Sequence, residues 1–351
     1  MGNARSRTLF GLGLILLFSF VTIWSTASDL FIHQLAFLLA GVVFMVLISR
    51  MDLNFFFSLS NFIYIFSVLL LLATLLFGKT VRGSTRWLDL GLFPLQTSEL
   101  VKPLLLLFYA DYIDKHKLNS IKTWAQFLAL AALPTLLILR QPDLGSAIVI
   151  FFIPFSLAYL SNLSWKTTAI FLSLILVIVP VSFQFIKPYQ MDRLTSFVNP
   201  YADPTDTGYN VIQSTIAVGS GKIIGKGAGL GTQSHLKYLP ERHTDFIFAS
   251  FVEEFGLIGA LLLIGGYLII INEGIVHART LKNDKHYLVQ LGVVLLFSFQ
   301  LLVNVGMNLG LMPVTGITLP LFSYGGSSLI SFMILLGLHL NLLDLSHLHK
   351  L

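Results

Sequence analysis

The 351-residue sequence contains no cysteine, and only 11% of its residues are charged. The missing cysteines exclude disulfides, thiolate metal sites and a cysteine nucleophile. The low charge content argues against a water-soluble protein, in which about 25% of residues are charged. No stretch of the chain resembles a separate soluble domain, and the modest net charge of +5 gives no indication of a nucleic-acid partner.

Hydrophobic residues make up 55% of the chain. Apolar stretches of roughly 17 or more residues recur along it, and a helix of that length crosses about 30 Å of hydrocarbon. The sequence therefore predicts a single all-α polytopic membrane domain over 1–351, with about ten transmembrane helices and a long extracytoplasmic loop, 187–245, between helices 7 and 8. The predicted helices are 8–25, 30–49, 54–78, 98–112, 124–139, 144–160, 167–186, 246–272, 287–307 and 324–343.

Lysines and arginines indicate the orientation, because they are retained in cytoplasmic loops. With the N-terminus inside, the short outer loops hold only Lys79, Arg82, Arg86 and Arg140, and the inner loops hold most of the others. Both termini are therefore predicted to be cytoplasmic. Three polar non-helical stretches, 79–97, 140–143 and 187–245, then lie together on the outer side.

Charged residues interrupt the apolar pattern at the fourth and sixth predicted helices. Glu99 and Lys102 share one helical face; charges within a span are functional candidates, but an interfacial ion pair with a snorkelling lysine is an equally good interpretation. The run Arg140-Gln141-Pro142-Asp143 is more typical of a plain turn, although Asp143 is close in predicted depth to Glu99.

The end of the long loop concentrates polar and ionisable side chains just before a span. Helix capping explains part of this pattern, with Thr244 as the cap and Asp245 in the first turn. Capping needs only one or two residues, so the additional Glu241, Arg242 and His243 favour a binding or catalytic site.

The same loop contains two glycine-rich stretches, 219–222 and 225–229. A nucleotide-binding interpretation fails, because Ile follows Lys222 and Ile224 occupies the last glycine position of a dinucleotide fingerprint. Flexible or closely packed loop backbone is favoured instead.

Polar residues near the later predicted helices have two interpretations each. The adjacent Glu253 and Glu254 either face the bundle or precede a span that starts near Gly256, and the spacing from Gly256 to Ala260 favours close helix packing.

Asn304 and Asn308 share a face suited to hydrogen bonds between helices or to substrate contact. Serines in the last outer loop can hold an anion or cap the final helix.

Five segments together resemble the SEDS family of bacterial shape, elongation, division and sporulation proteins, in order and on the predicted topology. They are 83–90, 96–102, 140–145, 240–248 and 313–328. Within the family, 231–235 and the segment 240–245 are similar to the elongation branch, since division homologues usually have Ala where Arg242 stands. Thr97 departs from the family's usual proline.

The resemblance implies a peptidoglycan glycosyltransferase of the bacterial cytoplasmic (inner) membrane, acting in cell elongation and rod shape. It would polymerise lipid II at the outer face by inverting transfer, with undecaprenyl diphosphate as the leaving group. The implied partners are a class B penicillin-binding protein, which is the elongation transpeptidase, other membrane proteins of the elongation complex, and membrane lipid. A flippase for lipid-linked precursors and a non-catalytic scaffold are alternatives, but the concentration of polar residues near one surface leans against both.

The resemblance also implies roles for individual residues. Asp245 matches an essential acidic position and is a candidate general base or ligand of a divalent cation, Mg²⁺ or Mn²⁺. Glu99 and Lys102 match functional positions, and Lys102 is a candidate contact for the diphosphate. The candidates for substrate binding are Arg86, Gln141, Asp143, Glu241, Arg242, His243, Thr244, Ser323, Ser327 and Ser328. No pair of carboxylates shows ligand spacing, so a cation could instead sit on substrate phosphate.

Overall fold

The computed structural model describes residues 2–81, 84–89, 91, 94–118, 120–161, 188–205 and 207–348. The predicted helix at 167–186 lies outside the described residues. The described helices are α1 (Gly2–Thr26), α2 (Phe31–Arg50), α3 (Leu53–Ser58), α4 (Ser60–Phe77), α5 (Thr97–His116), α6 (Ile121–Arg140), α7 (Leu144–Leu160), α8 (Pro188–Val198), α9 (Tyr209–Ser220), α10 (Thr232–His235), α11 (Ile247–Ala278), α12 (Asp284–Asn308) and α13 (Gly326–Leu348).

Seven described helices, α1, α2, α4, α6, α11, α12 and α13, are long and apolar enough to cross a membrane, and α7 is a shorter apolar helix. Helices suit this environment because each backbone N–H and C=O is satisfied within its own segment. The predicted fold class is therefore confirmed. α5 is the exception in composition: it carries five charged side chains, and it is enclosed by α4, α7, α12 and α13.

Two of the differences from the predicted helix boundaries coincide with local polar contacts. α6 begins at Ile121, three residues before its predicted start, since Ser120 and Thr123 form a capping box. The helix predicted over 54–78 is split into α3 and α4 at Leu59, and the Ser60 hydroxyl beside the break donates to the buried Asp111 carboxylate.

The polar stretch after α4 is a small antiparallel sheet, an addition to the predicted all-α fold. Its strands are β1 (Lys79–Val81), β2 (Ser84–Asp89) and β3 (Pro94–Gln96), in the order β1-β2-β3. Thr80 pairs with Thr85, and Leu88 pairs with Leu95. The sheet rests on the adjacent ends of α4, α5 and α13.

α11 is broken at Gly256, whose φ of 64° lies in the left-handed region. The prediction of close helix packing at this glycine is wrong, because its neighbour is the glycine-rich loop. Loop N–H groups donate to the carbonyls before the break, and the N–H groups after it donate to loop carbonyls. These bonds are Lys226 N to Glu253 O (3.0 Å), Gly227 N to Glu254 O (2.9 Å), Leu257 N to Lys222 O (2.9 Å) and Ile258 N to Ile223 O (3.1 Å).

The carboxylates just before the break are completely enclosed. Glu253 accepts from the Gln233 N–H (2.9 Å) and the Lys226 ammonium (2.8 Å), and Glu254 contacts His235 Nε2 at 3.0 Å. Both acids therefore face protein. A Cβ added at Gly225 would collide with the backbone of Glu254, so the interpretation as closely packed loop backbone is confirmed.

Candidate active site

A cavity of about 1040 Å³ lies where the sheet, the end of the long loop and the start of α13 meet. Its wall combines charged, hydroxyl, amide and aromatic side chains, the mixture expected of a site for a polar ligand. It is lined by Phe37, Ser84, Arg86, Trp87, Pro94, Gln96, Pro142, Arg193, Asn210, Glu241, Thr244, Asp245, Phe246, Val314, Gly316, Thr318, Tyr324, Gly325, Gly326, Ser327 and Ser328.

The backbone of Asp245 is held by two asparagine side chains from α12. Asn304 Nδ2 and Asn308 Nδ2 each donate to Asp245 O at 3.0 Å. Asn304 also donates to Ile317 O at 2.8 Å, and Asn308 accepts from Ala249 N at 3.0 Å. Of the two interpretations of these asparagines, hydrogen bonding within the protein is the one that the structure shows.

The Asp245 side chain is half-buried and lines the cavity. Burial raises the pKa of this carboxyl to about 6, and the charge of Glu241 adds to the rise. Arg193 and Arg86 act in the opposite direction. At neutral pH Asp245 is thus an ionised carboxylate of unusual basicity, with both arginines near enough to affect it.

The turn before Asp245 is fixed by hydroxyl groups. Thr244 Oγ1 donates to Glu241 Oε2 at 2.8 Å, and Ser323 Oγ donates to Thr244 O at 2.8 Å. Ser323 also accepts from the Leu319 N–H at 2.8 Å. The interpretation of Thr244 as the helix cap is wrong, because α11 begins at Ile247 and Phe246 precedes it without a side-chain cap.

Arg86, which also lines the cavity, is oriented by the turn between α6 and α7. Its Nη2 donates to Pro142 O at 2.6 Å, and its Nε lies 3.7 Å from Asp143 Oδ2. Asp143 itself is buried and caps α7 by accepting from the Ser146 N–H at 3.1 Å. The segment is the expected turn, and its acid orients the arginine from behind the cavity wall.

Three predicted substrate contacts point elsewhere. Gln141 is buried and donates to Leu71 O at 2.8 Å. Arg242 Nε donates to Thr26 O at 3.2 Å, at the end of α1. The His243 ring packs 5.8 Å from the ring of Tyr324. None of the three lines the cavity, so the structure gives them, with Ser323, positions that support its wall.

Glu99 and Lys102 form a buried ion pair, 2.7 Å between Oε1 and Nζ, with the side chains 7% and 1% exposed. The Ser331 hydroxyl donates to Glu99 O at 2.8 Å. Since Ser331 lies three residues beyond the cavity-lining Ser328, the backbone of Glu99 is about 4.5 Å deeper along α13. Neither Glu99 nor Lys102 lines the cavity, so the pair lies beneath its floor.

Thr97, which replaces the family's usual proline, is the first residue of α5. Its hydroxyl shares a 2.7 Å hydrogen bond with that of Thr74. This contact joins the start of α5 to α4.

The sequence did not reveal several cavity residues, above all Arg193 on α8 and the aromatic side chains Trp87 and Tyr324. Arg193 belongs to an amphipathic segment of the long loop, a pattern that predicts a helix. No spacing in the chain connects it with Asp245, 52 positions later (245 − 193).

Among the described residues, no group of three or more His, Cys, Asp or Glu side chains could hold a metal ion. Asp245 and Glu241 nevertheless line one cavity. Mg²⁺ is commonly bound through one or two carboxylates together with substrate phosphates, and this pair of side chains fits that mode.

Comparison with known proteins gives consistent results along the whole chain. The family model FtsW/RodA/SpoVE, a cell cycle protein, matches residues 5–347. Peptidoglycan glycosyltransferase MrdB of Escherichia coli (strain K12) is 36% identical over 341 residues, 96% of this chain and 91% of that protein. The probable peptidoglycan glycosyltransferase FtsW of Coxiella burnetii is 36% identical over 324 residues, 89% and 86% of the two chains.

Two solved structures share the fold. A chain from a peptidoglycan synthase complex, studied for the coordination of polymerization and crosslinking, has a TM-score of 0.83 and 31% identity over 97% of both chains. The rod shape determining protein RodA of Thermus thermophilus has a TM-score of 0.72 and 29% identity, covering 96% of this chain and 95% of that chain. The likeness thus includes all the segments that form the cavity.

Proposed function

This chain belongs to the FtsW/RodA/SpoVE (SEDS) family, and on that basis we propose that it is a peptidoglycan glycosyltransferase that polymerises lipid II in cell elongation. The observation that carries the proposal is the cavity in which a basic carboxylate, Asp245, is accompanied by Arg86 and Arg193. Glycosyl transfer from a diphosphate requires a base and a cationic environment.

In the proposed reaction, the Asp245 carboxylate accepts the proton of the C4 hydroxyl of a GlcNAc residue. The oxygen attacks C1 of a MurNAc residue from the face opposite its diphosphate. A C1–O glycosidic bond forms, the bond between C1 and the diphosphate oxygen breaks, and the configuration at C1 is inverted. The proton remains on Asp245 until solvent removes it.

Arg86 and Arg193 are the proposed contacts for the departing undecaprenyl diphosphate, since guanidinium groups bind phosphate oxygens in a bidentate manner. Ser327 and Ser328 lie in the same wall. The contact of Lys102 with the diphosphate stays a prediction; from its buried position beside Glu99, it first needs a rearrangement of the cavity floor.

As the alternative to its role as the base, Asp245 would hold a Mg²⁺ or Mn²⁺ ion together with Glu241, and such an ion would supply charge neutralisation to the diphosphate. Glu241 also accepts the Thr244 hydroxyl. It is therefore the better fixed of the two carboxylates.

The protein is a multi-pass membrane protein. We propose that both termini lie in the cytoplasm and that the cavity opens at the outer face of the inner membrane. The excess of lysine and arginine in the predicted inner loops supports this orientation. A class B penicillin-binding protein is the proposed partner. Its support is the similarity to a chain of a peptidoglycan synthase complex.

The decisive experiment is incubation of the purified chain and its transpeptidase partner with lipid II. Wild type is expected to form glycan strands, and Asp245→Asn to form none, because the amide cannot accept the proton. Asp89→Asn is the matched control, since Asp89 is exposed on β2 and does not line the cavity.

Equal polymer from wild type and Asp245→Asn removes Asp245 from the mechanism. If neither wild type nor Asp245→Asn forms polymer when Mg²⁺ and Mn²⁺ are supplied, the proposal that the protein is a glycosyltransferase is contradicted. In that case, movement of lipid II across sealed vesicles separates a flippase from a scaffold.

A further inference from the structure

The glycine-rich loop 219–230, which includes the last two residues of α9, carries large apolar side chains at its surface. Ile223 and Ile224 are 64% and 77% exposed, although the backbone beside them is packed against the break in α11. The loop does not line the cavity. Its exposed isoleucines are therefore not part of the proposed substrate cavity.

The loop lies near one edge of the membrane. Through the backbone bonds at the break, Ile223 is level with Ile258. Leu257 precedes Glu273 by 16 residues (273 − 257), and Glu273 pairs with Arg7 toward the far end of the bundle. The helix from Leu257 to Glu273 is therefore about 24 Å long, which is close to the thickness of the hydrocarbon core of a bilayer, roughly 30 Å. The isoleucines thus lie at the boundary on the cavity side.

The exposed apolar surface of α11 continues directly into this loop. Leu257, Ile258 and Leu261 on α11 are about half exposed or more, as expected of a helix that faces lipid. On the adjoining α1, the exposed Trp24 precedes Ser25, which contacts the loop at Gly229 N. Tryptophan at this depth is typical of the membrane interface.

The positive charge beside the isoleucines is suited to lipid headgroups. Lys222 is exposed beside the isoleucines, whereas Lys226 pairs with the buried Glu253 at 2.8 Å. We infer that loop 219–230 is a membrane anchor, which inserts Ile223 and Ile224 into the leaflet on the cavity side and presents Lys222 to lipid phosphates.

The anchor is tied to the site through the chain. Glu253 holds the segment that follows the loop, by accepting from the N–H groups of Gln233 and Ser234, and that segment leads to Glu241 and Asp245. Insertion therefore fixes where that segment lies relative to the leaflet, within a molecule whose depth its spanning helices set. For a lipid-linked substrate this sets the distance from membrane to carboxylate, a consequence that rests on the proposed function, whereas the insertion itself does not.

Because the chain has no cysteine, a nitroxide can be attached at one chosen position in the full-length protein. The test uses Ile224→Cys in nanodiscs of phosphatidylcholine with phosphatidylglycerol. Leu261→Cys is the control within lipid, and Asp89→Cys the control in water. The ratio of collision with oxygen to collision with a water-soluble nickel reagent is expected to be several-fold higher at position 224 than at position 89, and similar to that at 261.

A ratio at position 224 equal to that at position 89 places the loop in water and overturns the anchor. Protection from both reagents shows that protein covers the loop, as in self-association, and also overturns it. Ile223→Ser in the Ile224→Cys background is expected to lower the ratio; no change contradicts joint insertion. Lipid II polymerisation is measured separately, so its failure leaves the depth result intact.

Discussion

Asp245 has a fixed backbone and a side chain with a raised pKa. Two asparagine amides hold its carbonyl, so its backbone is positioned without hydrogen bonds to the carboxylate. This separation is suited to a base, because donors to the carboxylate would lower its pKa and its basicity. The raised pKa of about 6 is consistent with that arrangement.

The pH dependence of polymerisation should follow this carboxyl. If Asp245 must be ionised, the rate falls as the pH drops through about 6, the pKa to which burial raises it, and levels off above about pH 7. The measurement is the initial rate of glycan formation from about pH 8 to about pH 5, with thermal unfolding followed over the same range to exclude denaturation. A constant rate across this range contradicts the assignment.

Glu99 and Lys102 allow a structural role to be separated from a chemical one. A buried ion pair that loses one partner leaves an uncompensated charge, at a cost of about 3–5 kcal/mol, whereas replacing both residues can be nearly neutral. Glu99 and Lys102 are such a buried ion pair, since their charged atoms are 2.7 Å apart and both side chains are deeply buried.

We expect Glu99→Gln and Lys102→Met each to lower the unfolding temperature, and the double variant to recover most of the loss. If the double variant also recovers polymerisation, the pair only supports the cavity floor. Recovered stability with absent polymerisation shows that a charge is needed in the reaction. Thermal unfolding and strand synthesis on the same preparations make the distinction.

At the scale of elements, the break in α11 is the feature that a helical pattern conceals. The two parts of α11 on either side of Gly256 form four backbone hydrogen bonds with the loop instead of with each other. The polar groups at the break are thereby satisfied near the membrane boundary. This contact needs glycine on both sides, because the chains approach at Gly225 and Gly256 without room for a Cβ.

Gly256→Ala should therefore destabilise the protein by about 2 kcal/mol or more, through left-handed strain and collision with the loop. A Cβ at Gly256 would lie 2.5 Å from Ile223 O. Gly265→Ala in the same helix is the control, as open space surrounds that position; alanine there should be neutral or slightly stabilising. Similar unfolding temperatures for the two variants contradict the account of the break.

At the scale of the whole molecule, the cavity is assembled from segments far apart in the chain. The sheet supplies Arg86, the long loop supplies Arg193, and the segment before α11 supplies Asp245. A helix of the loop, α8, thereby becomes part of the site.

Arg193→Gln should lower kcat/KM for lipid II by roughly 10-fold, equivalent to about 1.4 kcal/mol, since it removes one of two guanidiniums proposed to bind the diphosphate. Asp192→Asn on the same helix is the control, because Asp192 is exposed and outside the cavity wall. Equal losses in both variants indicate that α8 matters only as structure.

The sequence by itself determined that the chain lies in a membrane, and it predicted that the polar residues gather on one side of it. Long apolar stretches allow only a helical membrane protein, and the order of its polar motifs indicated the family. The surplus of polar residues beside Asp245 favoured a site there, and the family resemblance gave Asp245 and Arg86 their predicted roles.

Only the tertiary structure decided which polar residues share the cavity. Gln141, Arg242 and His243 are as polar as their neighbours, yet their side chains satisfy backbone or ring partners elsewhere. Arg193 joins Asp245 because the long loop folds back. The sheet and the break at Gly256 likewise depend on backbone pairing between distant segments, and helical periodicity describes only neighbours in one helix.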